Sequence, residues 1–133
     1  MLPAMGACLF VASGLQFDVD AYLPNAPFKP ASVFRRDEVP RKESVGRPDS
    51  GFLVLLAEGG LSEQVTTARH FLARHATDLE TMRRLGVDHL MFEFAVERGS
   101  ELQQTEYLPP ELIVEMGQSG MALSMSTVQL PRG

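Results

Sequence analysis

The chain has 133 residues, a mass of 14.6 kDa and a formal net charge of −5, from twelve Lys and Arg against seventeen Asp and Glu. Hydrophobic residues at 44% and charged residues at 22% are the mixture of a globular chain and exclude intrinsic disorder. A chain this long buries about two-thirds of its unfolded surface, so a single domain over 1–133 needs no disulfide, metal or partner to fold. The acid excess argues against a nucleic-acid partner, because that affinity comes mainly from neutralising phosphates. The one cysteine, Cys8, leaves no intramolecular disulfide and no cysteine-based zinc site, and a reducing cytoplasm suits it. Residues 1–14 are apolar but lack a basic leader region, and seven residues before Cys8 are too few for a lipoprotein signal. No apolar run approaches the roughly 20 residues of a membrane span.

In chain order, residues 7–12 form a short continuous apolar run closed by Ser13-Gly14, which suits a strand buried on both faces. Asp18 is placed to cap a short helix carrying Val19, Tyr22 and Leu23, stopped by Pro24. Pro24, Pro27 and Pro30 enforce an extended segment. Residues 32–36 read as a short edge strand, and residues 37–50, charged and broken by Pro40, Gly46 and Pro48, as a loop. Residues 52–57 are apolar on both faces and read as a central strand ended by Gly59-Gly60.

The main helical region spans 62–85. Ser62 is the expected N-cap, and Val65, Ala68, Leu72, Ala76, Leu79 and Met82 make one face that Phe71 and Leu85 widen. Arg83 and Arg84 suit the last turn, with Gly86 just beyond it. Thr77-Asp78-Leu79-Glu80 is a second start signal, a capping box, so the region is one helix or two with a break near 75–77. Leu90, Phe92, Phe94 and Val96 alternate with polar neighbours in a half-buried strand. A polar loop over 99–105 leads to a short helix opened by Pro109-Pro110 and ended by Gly117 and Gly120. Met121, Leu123 and Met125 alternate with Ala122, Ser124 and Ser126 in a last strand. The order β-α-β-β-α-β-α-β predicts an α+β fold: one mostly antiparallel sheet of about five strands with its helices on one face.

Several of these landmarks occur together in a known arrangement. Ser13-Gly14 closes the first strand and Phe17-Asp18 opens a short helix. The segment Phe34-Arg35-Arg36-Asp37, an apolar strand and a long helical region ending at Gly86 follow, and Leu108-Pro109-Pro110-Glu111-Leu112 precedes the last helix. Over nearly its whole length the chain resembles a family of small bacterial domains catalogued as a domain of unknown function (number 4279). It departs from that family in lacking a tryptophan at the strand headed by Phe52. The resemblance implies no catalytic residues. Because some relatives sit beside polymorphic toxin systems, it implies an immunity-like role.

Signatures of chemistry are absent: there is no G-x-G-x-x-G, no G-x-x-x-x-G-K-[ST], no H-E-x-x-H and no G-x-S-x-G. No cofactor or metal is expected. His70 and His75 lie roughly 140° apart around a helix and do not share a metal, and His89 sits on a solvated strand face. Glu93 and Glu97 are about 13 Å apart along a strand, too far for a paired-carboxylate mechanism. Cys8 reads as a small core hydrophobe. The methionines of the last third read as core filling before they read as an adaptable binding surface.

The distinctive feature is basic. Lys29, Arg35, Arg36, Arg41, Lys42 and Arg47 outweigh Asp37, Glu38 and Glu43 by three charges, while the rest of the chain carries −8. Arg35, Arg36, Arg41, Lys42 and Arg47 are the candidate contacts to an acidic protein partner or a small anion, because guanidinium forks match carboxylates bidentately. The competing reading is a solvated loop whose acids neutralise its bases. The function expected is a non-catalytic, cytoplasmic protein-interaction or immunity-like module, and the alternative is a small-ligand-binding or regulatory domain.

Overall fold

The computed structural model of the chain describes residues 6–36, 49–100 and 102–129. Five strands form one mixed sheet: β1 (Ala7–Gly14), β2 (Ser32–Phe34), β3 (Ser50–Glu58), β4 (His89–Glu97) and β5 (Ala122–Val128). Their spatial order is β2-β3-β1-β4-β5. The pairs β2–β3, β3–β1 and β1–β4 are antiparallel, and β5 runs parallel to β4. The helices are α1 (Val19–Tyr22), extended by a 3-10 turn over Leu23–Asn25, then α2 (Leu61–Arg74), α3 (Ala76–Arg84) and α4 (Pro110–Gln118). The parallel pair follows from the chain route, because α4 carries β4 to β5 as a crossover and not as a hairpin.

The fold is α+β and mostly antiparallel, but the element order is not the one expected. Two helices stand where that order placed one. The helical region breaks at His75 (φ −112°, ψ 21°), which ends α2 and caps α3. The His75 ring lies 4.8 Å from both Phe28 and Phe71, and its Nδ1 is 2.8 Å from Asp78 Oδ2 at the third position of α3. That packing, not the Thr77 capping box, seats the start of the second helix. The first helix begins one residue before Ser62, with Gly60 as its N-cap, and Ala76 and Leu85 are exposed rather than on the buried face. Gly117 lies inside α4, and the left-handed Gly120 (φ 66°) follows the helix end. The central strand is β1, with the run that begins at Phe52 one place nearer the β2 edge.

Cys8, Phe10 and Ala12 of β1, Phe52 and Val54 of β3, and Leu90, Phe92, Phe94 and Val96 of β4 share one face of the sheet. Val65, Ala68, Phe71 and Leu72 of α2, Leu79 and Met82 of α3, and Leu112 and Met116 of α4 close over it in one core. Phe10 is the hub, with ring centroids 4.7–6.3 Å from those of Phe71, Phe28, Phe52 and Phe92. Gln64, fully buried, ties α2 to the sheet: its Nε2 donates to the carbonyls of Gly59 and Ala95, both at 2.9 Å. Gly86 ends α3 in the left-handed region (φ 108°), and a Cβ there would stand 2.7 Å from the Gln16 carbonyl oxygen.

Candidate functional site

The basic segment leaves the sheet at the end of β2. Arg35 grips Asp20 of α1 as a fork: its Nε lies 2.9 Å from Asp20 Oδ2 and its Nη2 2.8 Å from Oδ1. The guanidinium beside it holds the Asp20 carboxyl below its ordinary value. The Arg36 backbone N–H donates to Ser50 Oγ at 2.8 Å, and its Nη2 donates to the Leu15 carbonyl. Both arginines line a hollow of about 290 Å³ with Asp18 and Asp20. Their charge is thus engaged within the chain, and two carboxylates face the space an anion would enter. Arg41, Lys42 and Arg47 lie outside the described residues.

A larger groove, about 770 Å³, runs between the outer side of α2 and the segment entering α4. Leu61, Val65 and Ala73 line it from α2, with Tyr107 and Pro109 opposite. Arg69 crosses it to Glu115 of α4, Nε to Oε1 at 2.7 Å and Nη2 to Oε2 at 3.3 Å. Each partner stabilises the charged form of the other, so the Glu115 carboxyl falls below its ordinary value and the Arg69 guanidinium rises. The two residues are 46 apart in sequence, and no local pattern announced them. His70 stands on the rim of this groove while His75 is packed at the α2–α3 break, so the helix separates them as expected.

The third surface is the outer face of the sheet. Leu9 and Val11 of β1, Leu53 and Leu55 of β3, and Met91 and Ala95 of β4 point away from the helices, in register across the three strands. Leu9 is buried among its neighbours, Val11, Leu53, Met91 and Ala95 are half-buried, and Leu55 is 38% exposed. No described helix packs on them, and Leu9 lies outside the core cluster. Glu93 interrupts this patch on β4, opposite Leu9 and between Met91 and Ala95, while Glu58 and Glu97 mark one end of the face. The other end is the β2 edge, where Arg35 and Arg36 follow directly. Solvated faces of antiparallel sheets are ordinarily polar, so an aliphatic centre is the departure here. Its signal was present in the sequence: strands 7–12 and 52–57 are apolar at successive positions, which reads equally as burial on two faces.

Burial shifts two further titratable groups. Cys8 lies wholly within the core, and burial pushes its thiol up to about 12. Burial also pushes the Tyr22 hydroxyl up to about 12, with the Asp78 charge adding to the shift. Among the described residues no group of three or more His, Cys, Asp or Glu is placed to hold a metal ion, and no helix is long and apolar enough to cross a membrane. No family model, curated protein or solved structure matches the chain.

Proposed function

We propose that the protein is a non-catalytic interaction module that docks a protein partner on the outer face of its sheet. The observation that carries this reading is the aliphatic patch of Val11, Leu53, Leu55 and Met91 on a face that no described helix covers. Contiguous exposed apolar surface on a folded domain marks interaction sites. The partner has an apolar centre and an acidic margin toward the β2 edge, where Arg35 and Arg36 follow the strand; the sequence adds Arg41, Lys42 and Arg47, outside the described residues, to the same basic segment. The chain's own Glu58 and Glu97 favour basic groups at the opposite end, and Glu93 favours a basic group within the face. An immunity-like role in the bacterial cytoplasm, as the resemblance to the family numbered 4279 implies, is one form of such a module.

The test is affinity capture from the native host with Leu55→Lys and with Arg35→Ala/Arg36→Ala/Arg41→Ala. A lysine on the outer face places a charge in the middle of the contact, so the specific partner is lost while the melting temperature stays near wild type. Retention of every captured protein by Leu55→Lys contradicts the docking face. The triple variant reports the basic margin: if that margin contributes, the variant binds more weakly than wild type and its binding falls less with added salt, because the charges that salt screens are gone.

The groove between α2 and α4 supports a second reading, a small-ligand or regulatory domain. Its volume of about 770 Å³ lies within the roughly 300–1,000 Å³ of small-molecule sites, and it combines apolar walls with Arg69 and Tyr107. A thermal-shift screen against metabolites separates the two readings, since a ligand at 100 times its dissociation constant adds about 2.7 kcal/mol.

A further inference from the structure

The two edges of the sheet are built differently. At one edge β2 is three residues long, with Pro30 before it and Arg35-Arg36 after it. Short length, proline and charge are the devices that blunt an edge against pairing. At the other edge β5 runs seven residues, Ala-Leu-Ser-Met-Ser-Thr-Val, without a proline or a charge. At about 3.4 Å per residue it presents roughly 24 Å of edge. It pairs only with β4 among the described strands, so alternate backbone N–H and C=O groups point outward.

The apolar surface beside this edge matches it. Leu123 and Met125 stand on the helix side of the sheet, opposite Phe92 and Phe94, yet are 45% and 40% exposed. On α4, Leu112 and Met116 face the core and Glu115 faces α2. At about 100° per residue, Ile113 then falls on the opposite flank, on the side away from α2. Ile113 is 47% exposed and Val114 55%. Four of the exposed large hydrophobics therefore belong to α4 and β5.

We infer that β5 is a dimerisation edge, pairing antiparallel with β5 of a second copy to make a continuous ten-stranded sheet. The choice of a second copy rests on electrostatic self-compatibility. A two-fold axis at Met125 sets Met125 against Met125 of the partner subunit, Leu123 against Thr127 of the partner subunit, and Ser124 against Ser126 of the partner subunit. On the helix side Met125 meets its own copy and Leu123 meets the methyl-bearing Thr127 of the partner subunit, on the outer side Ser124 meets Ser126 of the partner subunit, and no pair opposes like charges, although the chain carries −5. A charged partner strand finds no complementary charge on this edge. The surface is separate from the outer-face patch, so this inference stands or falls independently of the docking reading above.

Sedimentation velocity on the full chain tests it, with Met125→Lys and Leu123→Lys as edge variants and Leu55→Lys as the outer-face control. The wild type and Leu55→Lys sediment at twice the 14.6 kDa chain mass at tens of micromolar, and their outward-pointing β5 amides exchange slowly. Met125→Lys opposes two ammonium groups at the axis and weakens association at least 100-fold, giving a monomer with a wild-type circular dichroism spectrum. Should Met125→Lys fail to fold, Leu123→Lys supplies the same readout. A wild type that stays monomeric at high micromolar concentration overturns the inference. Folded edge variants that remain dimers overturn it too, as does dissociation by Leu55→Lys alone, which places the contact on the outer face.

Discussion

Replacing Phe10 by alanine tests the architecture at its centre. Phe10 lies in the middle strand, is wholly inaccessible, and has the rings of Phe71, Phe28, Phe52 and Phe92 around it. Truncation removes a buried phenyl ring and leaves a cavity that the surrounding rings, themselves fixed by α2 and by β3 and β4, fill only in part. Buried Phe→Ala changes cost roughly 3–5 kcal/mol, and the loss of four ring contacts puts this one in the upper half. Against a total stability of about 5–15 kcal/mol, that is a large fraction. For a chain of this length, about 4 kcal/mol lowers the melting temperature by roughly 10–20 °C. Urea unfolding followed by circular dichroism measures it, with Leu102→Ala, at a fully exposed loop position, as a control expected to lose under about 1 kcal/mol. A Phe10→Ala loss below about 1 kcal/mol, or one equal to the control's, refutes the placement of the core.

Three further outcomes are expected. Gly86→Ala forces a side chain into a left-handed backbone position against the Gln16 carbonyl, and costs about 1–3 kcal/mol by the same unfolding assay; a neutral effect contradicts that turn. The Glu115 carboxyl sits below its ordinary value of 4.5 because Arg69 favours its charged form, so the pair's contribution is complete above about pH 4.5 and fades as pH falls through the lowered value. The stability difference between wild type and Glu115→Gln should accordingly shrink between pH 6 and pH 3, and a difference that grows on acidification contradicts the pairing. With its thiol pushed up to about 12 and buried, Cys8 should react with a thiol reagent at pH 8 only through unfolding, about 100-fold or more faster in denaturing urea than in buffer; fast labelling of the native chain contradicts its burial.

The sequence carried the elements better than it carried their company. Alternation at Leu90, Phe92, Phe94 and Val96 found β4, and the proline pair found the start of α4, because both signals are local. The His75 break was visible only as an option, since what seats it is Phe28, 47 residues upstream. The parallel pairing of β5 was missed because an alternating strand looks the same in either direction, and only the α4 crossover decides. At the site, Arg35 and Arg36 were legible as charges, but their partners Asp20 and the Leu15 carbonyl were not, since 15 and 21 residues separate them. The outer face lay in plain view as two apolar strands. Two apolar strands fit double burial equally well, because pattern alone does not say whether anything lies on the second face.

That second face is where one measurement is most direct. With methyl-labelled protein and a soluble paramagnetic agent, the Val11, Leu53, Leu55 and Met91 methyl signals should broaden strongly in the free chain. Those of Leu72, Leu79, Met82 and Leu112 should hardly change. Equal protection of the two sets would mean that the outer face is already covered within the chain, and would contradict its assignment as a docking surface.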